Sequence, residues 1–513
     1  MNAYEFAILG SGFASSLCAA ILAKNGRSVV VIDRGKHPRF SIGESTTPAA
    51  DFLLHHLATQ FGLSELLPLT QYGSWTNHYP GIRCGCKRGF SYVWHGDGTE
   101  YTPTEDHKNE LMVTASASRE VADTQWYRPD VDTFFLQVAK SYGVHVIEEA
   151  ILENIDCDEN GHHCLTYTVQ GERQSICSPF VIDGSGPQSI LMQKNGGADL
   201  TDELLTSTSA VYGHFRGGQV TENWLKKKNA ASHDFPYPFD QAAVHHLFHD
   251  GWLWQIGFDD DLTSLGFVTK TATPRKDKEA NVHQGLLVAV SQEQAFSEWE
   301  RRLHCYPVLN SLYGNCVLAD FPGRLYQMPR IQRLREKAAG ANWAALSFTV
   351  GFIDPLHSTG IAHTLSTVER LCDIVMNPDL EKRTYDLHVY SLQVVREFLH
   401  IDKIISTCYA CLHDFSLFSA ASMIYFAAAI ALERHRGLNL ETGFLLAQDE
   451  RFCRIVGEIN RKALSLTNDS SKGNRLEKYQ LLEDIQSCLQ PYNDVGLFTP
   501  AIKNMILHTT AAK

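Results

Sequence analysis

The sequence predicts an α/β fold with α+β insertions, built from a dinucleotide-binding βαβ core, an antiparallel sheet and a helical C-terminal cap. Three patterns support this prediction. A glycine-rich turn lies between two short apolar segments near residue 10, two tryptophans stand one residue apart at 252 and 254, and apolar residues recur at helical spacing beyond residue 380. A chain of 513 residues is long enough for two or three domain-sized units.

The composition is typical of an ordinary globular protein and excludes one class of partner. The chain is 44% hydrophobic and 20% charged, with a net charge of −13. Its basic residues are scattered, and the longest basic run is Lys226-Lys227-Lys228. A nucleic-acid surface needs a concentrated basic patch, so we expect no nucleic-acid partner.

The cysteines and the apolar segments indicate a cytoplasmic protein. The chain has 13 cysteines, an odd number, and no leader precedes the first apolar segment, so we expect no disulfide framework. Cys84-x-Cys86 and Cys408-x-x-Cys411 have no second pair at zinc-site spacing, and no metal site is expected. The apolar run 417–432 is shorter than a bilayer-spanning helix, which favours a buried helix and no membrane partner.

The N-terminal segment has the arrangement of a dinucleotide-binding unit. An apolar strand at 6–9 leads into a glycine turn, a helix follows over 16–25, and a second strand at 29–32 ends in an acid. The first glycine permits the tight turn, the second allows a pyrophosphate to approach the helix N-terminus, and the acid can bind a ribose. The predicted cofactor-binding residues here are Gly10, Gly12, Ala14, Ser15 and Asp33.

Two later segments return the chain toward the same cofactor. An apolar strand at 180–182 ends in Asp183 and Gly184, and Asp354 follows a third apolar segment. Backbone N–H groups of Thr359 and Gly360 open a helix that runs from Ile361, and such groups can bind a halide. Because only one dinucleotide unit is visible, FAD in a flavin-monooxygenase type of fold suits these segments better than NAD.

The pair Trp252 and Trp254 predicts a flat aromatic wall. Positions i and i+2 of a strand face the same side, so both indoles would cover one surface. Such a wall is useful where one molecule must be excluded from the site of another. The alternative is an ordinary aromatic strand that fills a core, since aromatic residues favour strands.

Taken together, these segments resemble the flavin-dependent halogenases, and in particular the branch that acts on phenols and pyrroles. The match runs through most of residues 1–376 and more loosely beyond. The resemblance implies that Glu44, Ser45 and Arg128 also contact FAD. The segments that carry it are Gly10-Ser11-Gly12 with Asp33, the runs 37–40, 43–48, 87–95 and 127–132, the double-tryptophan strand, and 351–356.

The resemblance also implies a mechanism. In that family reduced flavin and oxygen form a C4a-hydroperoxide, which bound chloride or bromide attacks to give hypohalous acid. A lysine then delivers the halogen to an electron-rich aromatic ring, and Lys87 occupies this position here. Without the resemblance, Lys87 would be interpreted as a solvated surface lysine, because most lysines are exposed.

Two positions depart from the family pattern. Gly257 stands where the family has proline after the double-tryptophan strand, and glycine relaxes the constraint on the strand end, so we expect a looser exit. His357 stands where tryptophan halogenases carry a glutamate. It is either a base or hydrogen-bond partner near the halide, or a histidine packed at a helix start.

These inferences define an organisation and three candidate functions. Residues 1–385 are predicted to form the FAD-binding core with an interleaved substrate sheet at about 190–330, and residues 386–513 form the cap. The first candidate is a two-component halogenase of secondary metabolism that receives reduced FAD from a separate reductase and acts on a free or carrier-tethered aromatic. A homodimer is compatible with it. The alternatives are an aromatic monooxygenase and a non-catalytic flavin-binding partner protein.

Overall fold

The structure is a computed structural model, and it describes residues 4–96, 101–271, 291–436, 442–468, 475–498 and 505–506. The predicted cap therefore includes segments outside the described residues. In chain order the described strands are β1 Phe6–Leu9, β2 Val29–Ile32, β3 Cys84–Lys87, β4 Gly89–Trp94, β5 Glu110–Thr114, β6 Asp123–Trp126, β7 His145–Ile147, β8 Ile151–Cys157, β9 His163–Val169, β10 Glu172–Ser178, β11 Phe180–Asp183, β12 Thr208–Arg216, β13 Ala243–Phe248, β14 Gly251–Gly257, β15 Leu262–Lys270, β16 Val317–Leu318, β17 Tyr326–Met328, β18 Arg333–Leu334, β19 Ala339–Gly340, β20 Trp343–Ala345, β21 Gly351–Phe352 and β22 Met505–Ile506.

The α-helices connect and cover these strands. In chain order they are α1 Phe13–Lys24, α2 Pro48–Gln60, α3 Tyr72–His78, α4 Arg128–Ser141, α5 Ile190–Asn195, α6 Thr221–Lys227, α7 Gln292–Cys305, α8 Pro307–Tyr313, α9 Ser347–Val350, α10 Thr359–Met376, α11 Leu380–Cys411, α12 Phe415–Arg436, α13 Glu450–Asn468 and α14 Arg475–Leu489.

The first sheet is the predicted βαβ core. Its order is β19-β20-β11-β1-β2-β7, and β1 pairs in parallel with both β2 and β11. The residues of β1 and β2 are all buried, as expected for parallel strands covered by helices on both faces. The carboxyl ends of β1 and β11 lie side by side, so the turns that follow them meet at one edge of the sheet.

The second sheet has nine strands and carries the double tryptophan. Strands β12, β15, β14 and β13 are antiparallel neighbours, which agrees with the predicted substrate sheet. The sequence limits of about 190–330 were too narrow, because β4 and β5 extend the sheet beyond β13. Strand β4 pairs in parallel with β13. Alternation of apolar and polar residues within one strand does not show which other strand pairs with it.

A small antiparallel sheet of β8, β9 and β10 contains a disulfide. Cys164 and Cys177 are direct partners across β9 and β10, and they form a disulfide. The sequence predicted no disulfide framework, and this single pair is a disulfide that the sequence did not predict. Cross-strand register brings two residues 13 apart in sequence face to face, which cysteine counting does not detect. A cytoplasmic location stays a prediction.

The C-terminal region is helical, as predicted, but its boundary differs. The 32-residue helix α11 runs through the predicted division between residues 385 and 386 and begins at Leu380. The apolar run 417–432 belongs to α12, whose stretch Phe415–Arg434 is long and apolar enough to span a bilayer. That stretch is 94% buried within the protein, so burial rather than length identifies it as a core helix.

A buried charge cluster ties α11 to α10. The carboxylate of Glu397 accepts a hydrogen bond from Arg370 at 2.7 Å, contacts His363 Nε2 at 2.9 Å, and accepts another from the Phe444 backbone N–H at 3.0 Å. Burial by itself would raise the pKa of Glu397, but Arg370 and His363 lower it to about 2. The cluster therefore stabilises the contact between cap and core when Glu397 is ionised.

We expect Glu397→Gln to weaken the fold and to remove part of its acid sensitivity. Because the folded pKa lies below the unfolded value of about 4.3, the stabilisation is present above about pH 4.3 and is lost as the pH falls toward 2. Its upper size is about 3 kcal/mol. Chemical unfolding of wild type and variant from pH 3 to 8 measures it. Glu300→Gln, on the exposed face of α7, is the control. Parallel pH curves for wild type and Glu397→Gln would contradict this expectation.

Candidate functional site

The glycine turn after β1 is held by a close approach of two backbones. Gly10 has φ +85°, and a Cβ there would lie 2.5 Å from the carbonyl oxygen of Gly184. Ser15 packs against Gly184 so closely that a Cβ on this glycine would overlap the serine hydroxyl. Gly10, Ser15 and Gly184 therefore bring turn, helix and sheet together, and their contact with FAD stays a prediction.

Polar groups surround the N-terminus of α1. Asp33 accepts hydrogen bonds from the Ser11 backbone N–H at 2.6 Å and from the Ser11 hydroxyl at 2.7 Å. Burial would raise the pKa of Asp33, but Arg39 and these hydrogen bonds keep it below its usual value. Asp33 is thus ionised near neutral pH beside the turn.

Arg128, the first residue of α4, links the N-terminus of α1 to the loop before α2. Its guanidinium donates to Asp132 at 2.8 Å and to the carbonyl oxygen of Gly43 at 2.9 Å. Asp132 in turn accepts a bond from the Phe13 N–H at 3.3 Å. Asp132 was missed in the sequence, although its spacing of four residues from Arg128 on a helix is the signal that predicts such a pair.

A largely apolar cavity opens beside the nine-stranded sheet. Trp252, Trp254 and His245 line one side of it, and Gly360 and Ile361 line another. His245 was missed in the sequence, but hairpin register places it directly opposite Trp254. Further lining residues are Ile42, Gly43, Glu44, Ser45, Tyr212, Met328, Phe352 and Pro355.

The two tryptophans face the same side of β14, as predicted from their spacing. Their ring centroids are 6.1 Å apart, and each indole N–H is bonded: Trp252 donates to Tyr409 at 2.8 Å and Trp254 to Ser264 at 3.1 Å. A Cβ on Gly266 would lie 2.3 Å from the Trp254 ring, so the absence of a side chain there makes room for the indole. The rings are therefore fixed in place.

The sheet extends to Gly257, and a looser exit of the strand than proline would allow stays a prediction. Gly257 remains in the β14–β15 ladder opposite Thr263. Its carbonyl oxygen lies 2.0 Å from where a Cβ of Gly85 would be, so β14 and β3 approach closely at two glycines. The backbone of Asp259 also donates to Cys84 at 3.0 Å. The end of β14 therefore packs against β3.

The predicted halide site is at the start of α10. The helix begins at Thr359, after Ser358 in a left-handed conformation with φ 54°, and the cavity reaches Ser358, Gly360 and Ile361. Its first N–H groups are therefore next to the cavity. The structure agrees with the predicted helix start, and halide binding by Thr359 and Gly360 stays a prediction.

Two carboxylates that the sequence predicts to contact the cofactor accept hydrogen bonds from other groups of the protein. Asp183 accepts hydrogen bonds from Ser185 and Ser189 in the turn after β11. Asp354 accepts bonds from Tyr409 at 3.0 Å and Thr208 at 3.1 Å, and burial raises its pKa to about 7. Both position the loops beside the cavity, and their direct contact with FAD stays a prediction.

Glu44 and Ser45 offer polar atoms to the cavity. Glu44 Oε1 is 2.6 Å from His214 Nε2, and both side chains are fully buried. Within the described residues, Glu44 Oε2 and the Ser45 hydroxyl are buried without a hydrogen-bond partner. Buried polar atoms are nearly always paired, so these two are suited to contact a bound polar group.

Lys87 is fully buried, which rules out the interpretation as a surface lysine. Its ammonium donates a hydrogen bond to the backbone carbonyl of Thr46 and lies 4.0 Å from the centroid of the Phe90 ring. In the β3–β6 ladder it stands opposite Asp123, which is also fully buried. A buried lysine is rare and is a candidate for function.

Lys87 lies between two cavities. Ser45, on one side of Thr46, lines the cavity described above, whereas Thr47, on the other side, lines a second and smaller cavity. The Phe90 ring beneath the ammonium belongs to the second one. The other walls of this second cavity are Pro48, Val113, Thr114, Ala115, and Tyr425, Phe426, Ala429, Ile430 and Glu433 of α12.

His357 lies near Lys87 but does not line the first cavity. Its imidazole stacks on Tyr425 with centroids 4.5 Å apart, and Nδ1 is 3.3 Å from the Tyr92 hydroxyl. Burial, His245 and Lys87 lower the pKa of His357 well below its ordinary value, and burial and Lys87 lower that of His245 to about 3. Both rings are neutral near pH 7.

Comparison with known protein families identifies this arrangement. A family model described as "Tryptophan halogenase" matches residues 125–414, which is more than half of the chain. The chain belongs to this family. A second model, "NAD(P)-binding Rossmann-like domain", matches residues 8–64 of the halogenase, a span that begins within β1 and contains α1 and β2.

Curated relatives of the halogenase act in the formation of halogenated compounds. It is 28% identical to the monodechloroaminopyrrolnitrin halogenase PrnC of Pseudomonas fluorescens over 462 residues, which cover 88% of this chain and 75% of that protein. It is 23% identical to the tetracycline 7-halogenase of Kitasatospora aureofaciens, over 89% of this chain and 78% of that one.

Solved structures share the whole architecture of this halogenase. The crystal structure of halogenase PltM superposes with a TM-score of 0.81 at 22% identity and covers 98% of this chain and 99% of that one. PltM in complex with phloroglucinol and FAD gives a TM-score of 0.80 at 21% identity, over 98% and 99% of the two chains. At such identity the likeness establishes the fold.

The comparisons confirm three predictions. The fold class is correct, the protein is a member of the flavin-dependent halogenases, and it is an FAD-using enzyme that halogenates. The roles of individual residues rest on the geometry described above. That geometry brings together Lys87, the tryptophan wall and the start of α10, and it places His357 on the far side of Tyr92 from the wall.

Proposed function

We propose that this protein chlorinates or brominates an electron-rich aromatic ring of the phenol or pyrrole type, with Lys87 as the residue that delivers the halogen. The observation that carries the proposal is a fully buried lysine between two cavities, one bounded by the tryptophan wall and the start of α10 and the other by α12. Reduced FAD would come from a separate flavin reductase.

The residues of the first cavity fit FAD. The turn at Gly10 and Gly12 and the N-terminus of α1 suit a pyrophosphate, and Arg128 is next to them. The flat apolar walls suit an isoalloxazine ring, while Glu44 Oε2 and the Ser45 hydroxyl can bond its polar edge. Bound in reduced form, FAD supplies the oxidation of halide by O2 that yields hypohalous acid.

The chain's own residues then have separate tasks. Backbone N–H groups at the start of α10 hold the halide, because the helix N-terminus favours anions. Trp252 and Trp254 keep the aromatic substrate away from the flavin, which prevents its hydroxylation there. The Lys87 ammonium donates a hydrogen bond to hypohalous acid and orients it toward the second cavity.

The walls of the second cavity suit an aromatic ring, although its volume of about 20 Å³ would have to increase to admit one. Its walls are aliphatic and aromatic apart from two threonines and Glu433, which can accept a hydrogen bond from a phenol O–H or a pyrrole N–H. Among the relatives, one is a monodechloroaminopyrrolnitrin halogenase and another is a 1H-pyrrole-2-carbonyl-[peptidyl-carrier protein] brominase, and one solved structure is of PltM with phloroglucinol. These names support a pyrrole or phenol, free or tethered to a carrier protein.

Product analysis tests the proposal directly. Purified protein receives FAD, a generic flavin reductase with NADH, oxygen and a panel of phenols and pyrroles, with bromide, with chloride and without halide. We expect monohalogenated products that depend on halide and on reduced FAD, detected by mass spectrometry.

Two other outcomes would replace this proposal. Hydroxylated product that forms equally well without halide would identify an aromatic monooxygenase. FAD binding without any modified aromatic, including with carrier-tethered pyrrole, would favour a protein that binds flavin for a partner's use. Boiled enzyme and free FADH2 serve as controls, because peroxide and halide can halogenate reactive phenols slowly without enzyme.

A further inference from the structure

An apolar stripe on α11 is exposed along the outside of the protein. Its side chains are exposed by 67% at Tyr385, 59% at Leu392 and 36% at Leu399. The opposite face of the same helix is buried against the core, with Leu387, Val394 and Ile401 each at most 3% exposed. The helix is therefore apolar on two faces, and only one of them is covered within the described residues.

The spacing of the stripe is that of a helix-pairing seam. Tyr385, Leu392 and Leu399 are seven residues apart, so at 100° per residue they fall within about 40° of one another. Glu381 and Lys403 lie at the two ends of the same seam and are also exposed. The seam from 381 to 403 is roughly 33 Å long at 1.5 Å per residue.

The seam is complementary to itself when a second copy is turned by a two-fold rotation. In an antiparallel pair centred on Leu392, that leucine meets its own copy and Tyr385 meets Leu399. The same operation sets Glu381 against Lys403 at both ends. Within the described part of the chain neither charge forms an ion pair, so both are available. The remaining pair, His388 with Arg396, carries no opposite charges.

We propose that α11 is the interface of a homodimer, in which the seam formed by Glu381, Tyr385, Leu392, Leu399 and Lys403 packs antiparallel against the same seam of a second copy. The second copy is favoured over another partner because opposite charges stand at the two ends, at equal distances of eleven residues from Leu392. The interface is independent of the catalytic proposal, since none of its residues lines either cavity.

Sedimentation equilibrium of the full chain tests the dimer. We expect a concentration-dependent rise in mass from 57.4 kDa toward twice that value. Leu392→Glu places two like charges on the axis and should leave a monomer at every concentration tested. Val317→Glu, at a position 64% exposed on the edge strand β16, is the matched control and should not change the mass. Circular dichroism verifies that each variant is folded.

A charge exchange tests the antiparallel register. Glu381→Lys and Lys403→Glu should each weaken the dimer by at least a few-fold in Kd, because each creates two like-charge contacts. The double variant restores opposite charges and should recover most of the wild-type Kd. A monomer at all concentrations would overturn the proposal, and so would a dimer that Leu392→Glu leaves intact. A dimer in which the double variant is weaker than both single variants would overturn the antiparallel register.

Discussion

Lys87→Met is expected to abolish halogenation while FAD binding persists. The ammonium is the polar group that lies between the two cavities, and methionine retains the length and apolar stem of lysine without a proton donor. Removal of a group that positions and polarises the reactive species costs about 10²–10⁴-fold in rate. We expect a loss at the upper end, since hypohalous acid would no longer be held beside the ring.

Two measurements distinguish a loss of halogen delivery from a loss of FAD binding. Halogenated product is quantified by mass spectrometry, and FAD affinity is measured by absorbance titration on the same preparation. Reduced flavin should still be reoxidised, with peroxide or free hypohalous acid released to solution. A variant that halogenates at more than a tenth of the wild-type rate would show that another group delivers the halogen.

Two further variants control for charge and for folding. Lys87→Arg keeps a cation but cannot become neutral. Residual activity in Lys87→Arg would therefore favour delivery by hydrogen bonding over a route in which the neutral amine of Lys87 is first halogenated by hypohalous acid to a chloramine or bromamine. Lys227→Met removes an exposed lysine and should not change either measurement. Lys87→Met is expected to lower stability, because the carboxylate of Asp123 stays buried opposite residue 87. Circular dichroism and a thermal midpoint verify that the variant is folded when the two measurements are made.

Gly10→Val is expected to abolish FAD binding and to lower stability. The backbone at residue 10 has φ +85°, which a β-branched residue rarely adopts, and the new Cβ would meet the Gly184 carbonyl at 2.5 Å. Strain of this kind costs about 1–3 kcal/mol, and displacement of β1 from β11 adds to it. A loss of 2.8 kcal/mol alone is about 10²-fold in Kd.

Gly26→Ala is the matched control for the backbone contribution. Gly26 has φ +79°, but no atom lies within 4 Å of its added Cβ. It should lower the thermal midpoint modestly and leave FAD affinity unchanged. If both variants bind FAD with wild-type affinity, the glycine turn is not the pyrophosphate site.

The sequence by itself determined the βαβ unit, the cofactor class and the wall of indoles. These depend on local relations: glycines at positions 10 and 12 between two strands, an acid after the second strand, and an i, i+2 spacing that places Trp252 and Trp254 on one face. The resemblance added Lys87 and its role. Local rules suffice for these features because the interacting atoms are close along the chain.

Only the tertiary structure decided the environment of those residues. Burial of Lys87 requires β3, the Thr46 loop, Phe90 and the helix α12 to meet, although they are separated by up to several hundred residues. The register of two hairpins placed His245 beside the wall and joined Cys164 to Cys177. The close approach of Gly257 to Gly85 joins two strands that are far apart in sequence. Burial, pKa and close packing depend on all neighbours together, and no single segment of the sequence contains that information.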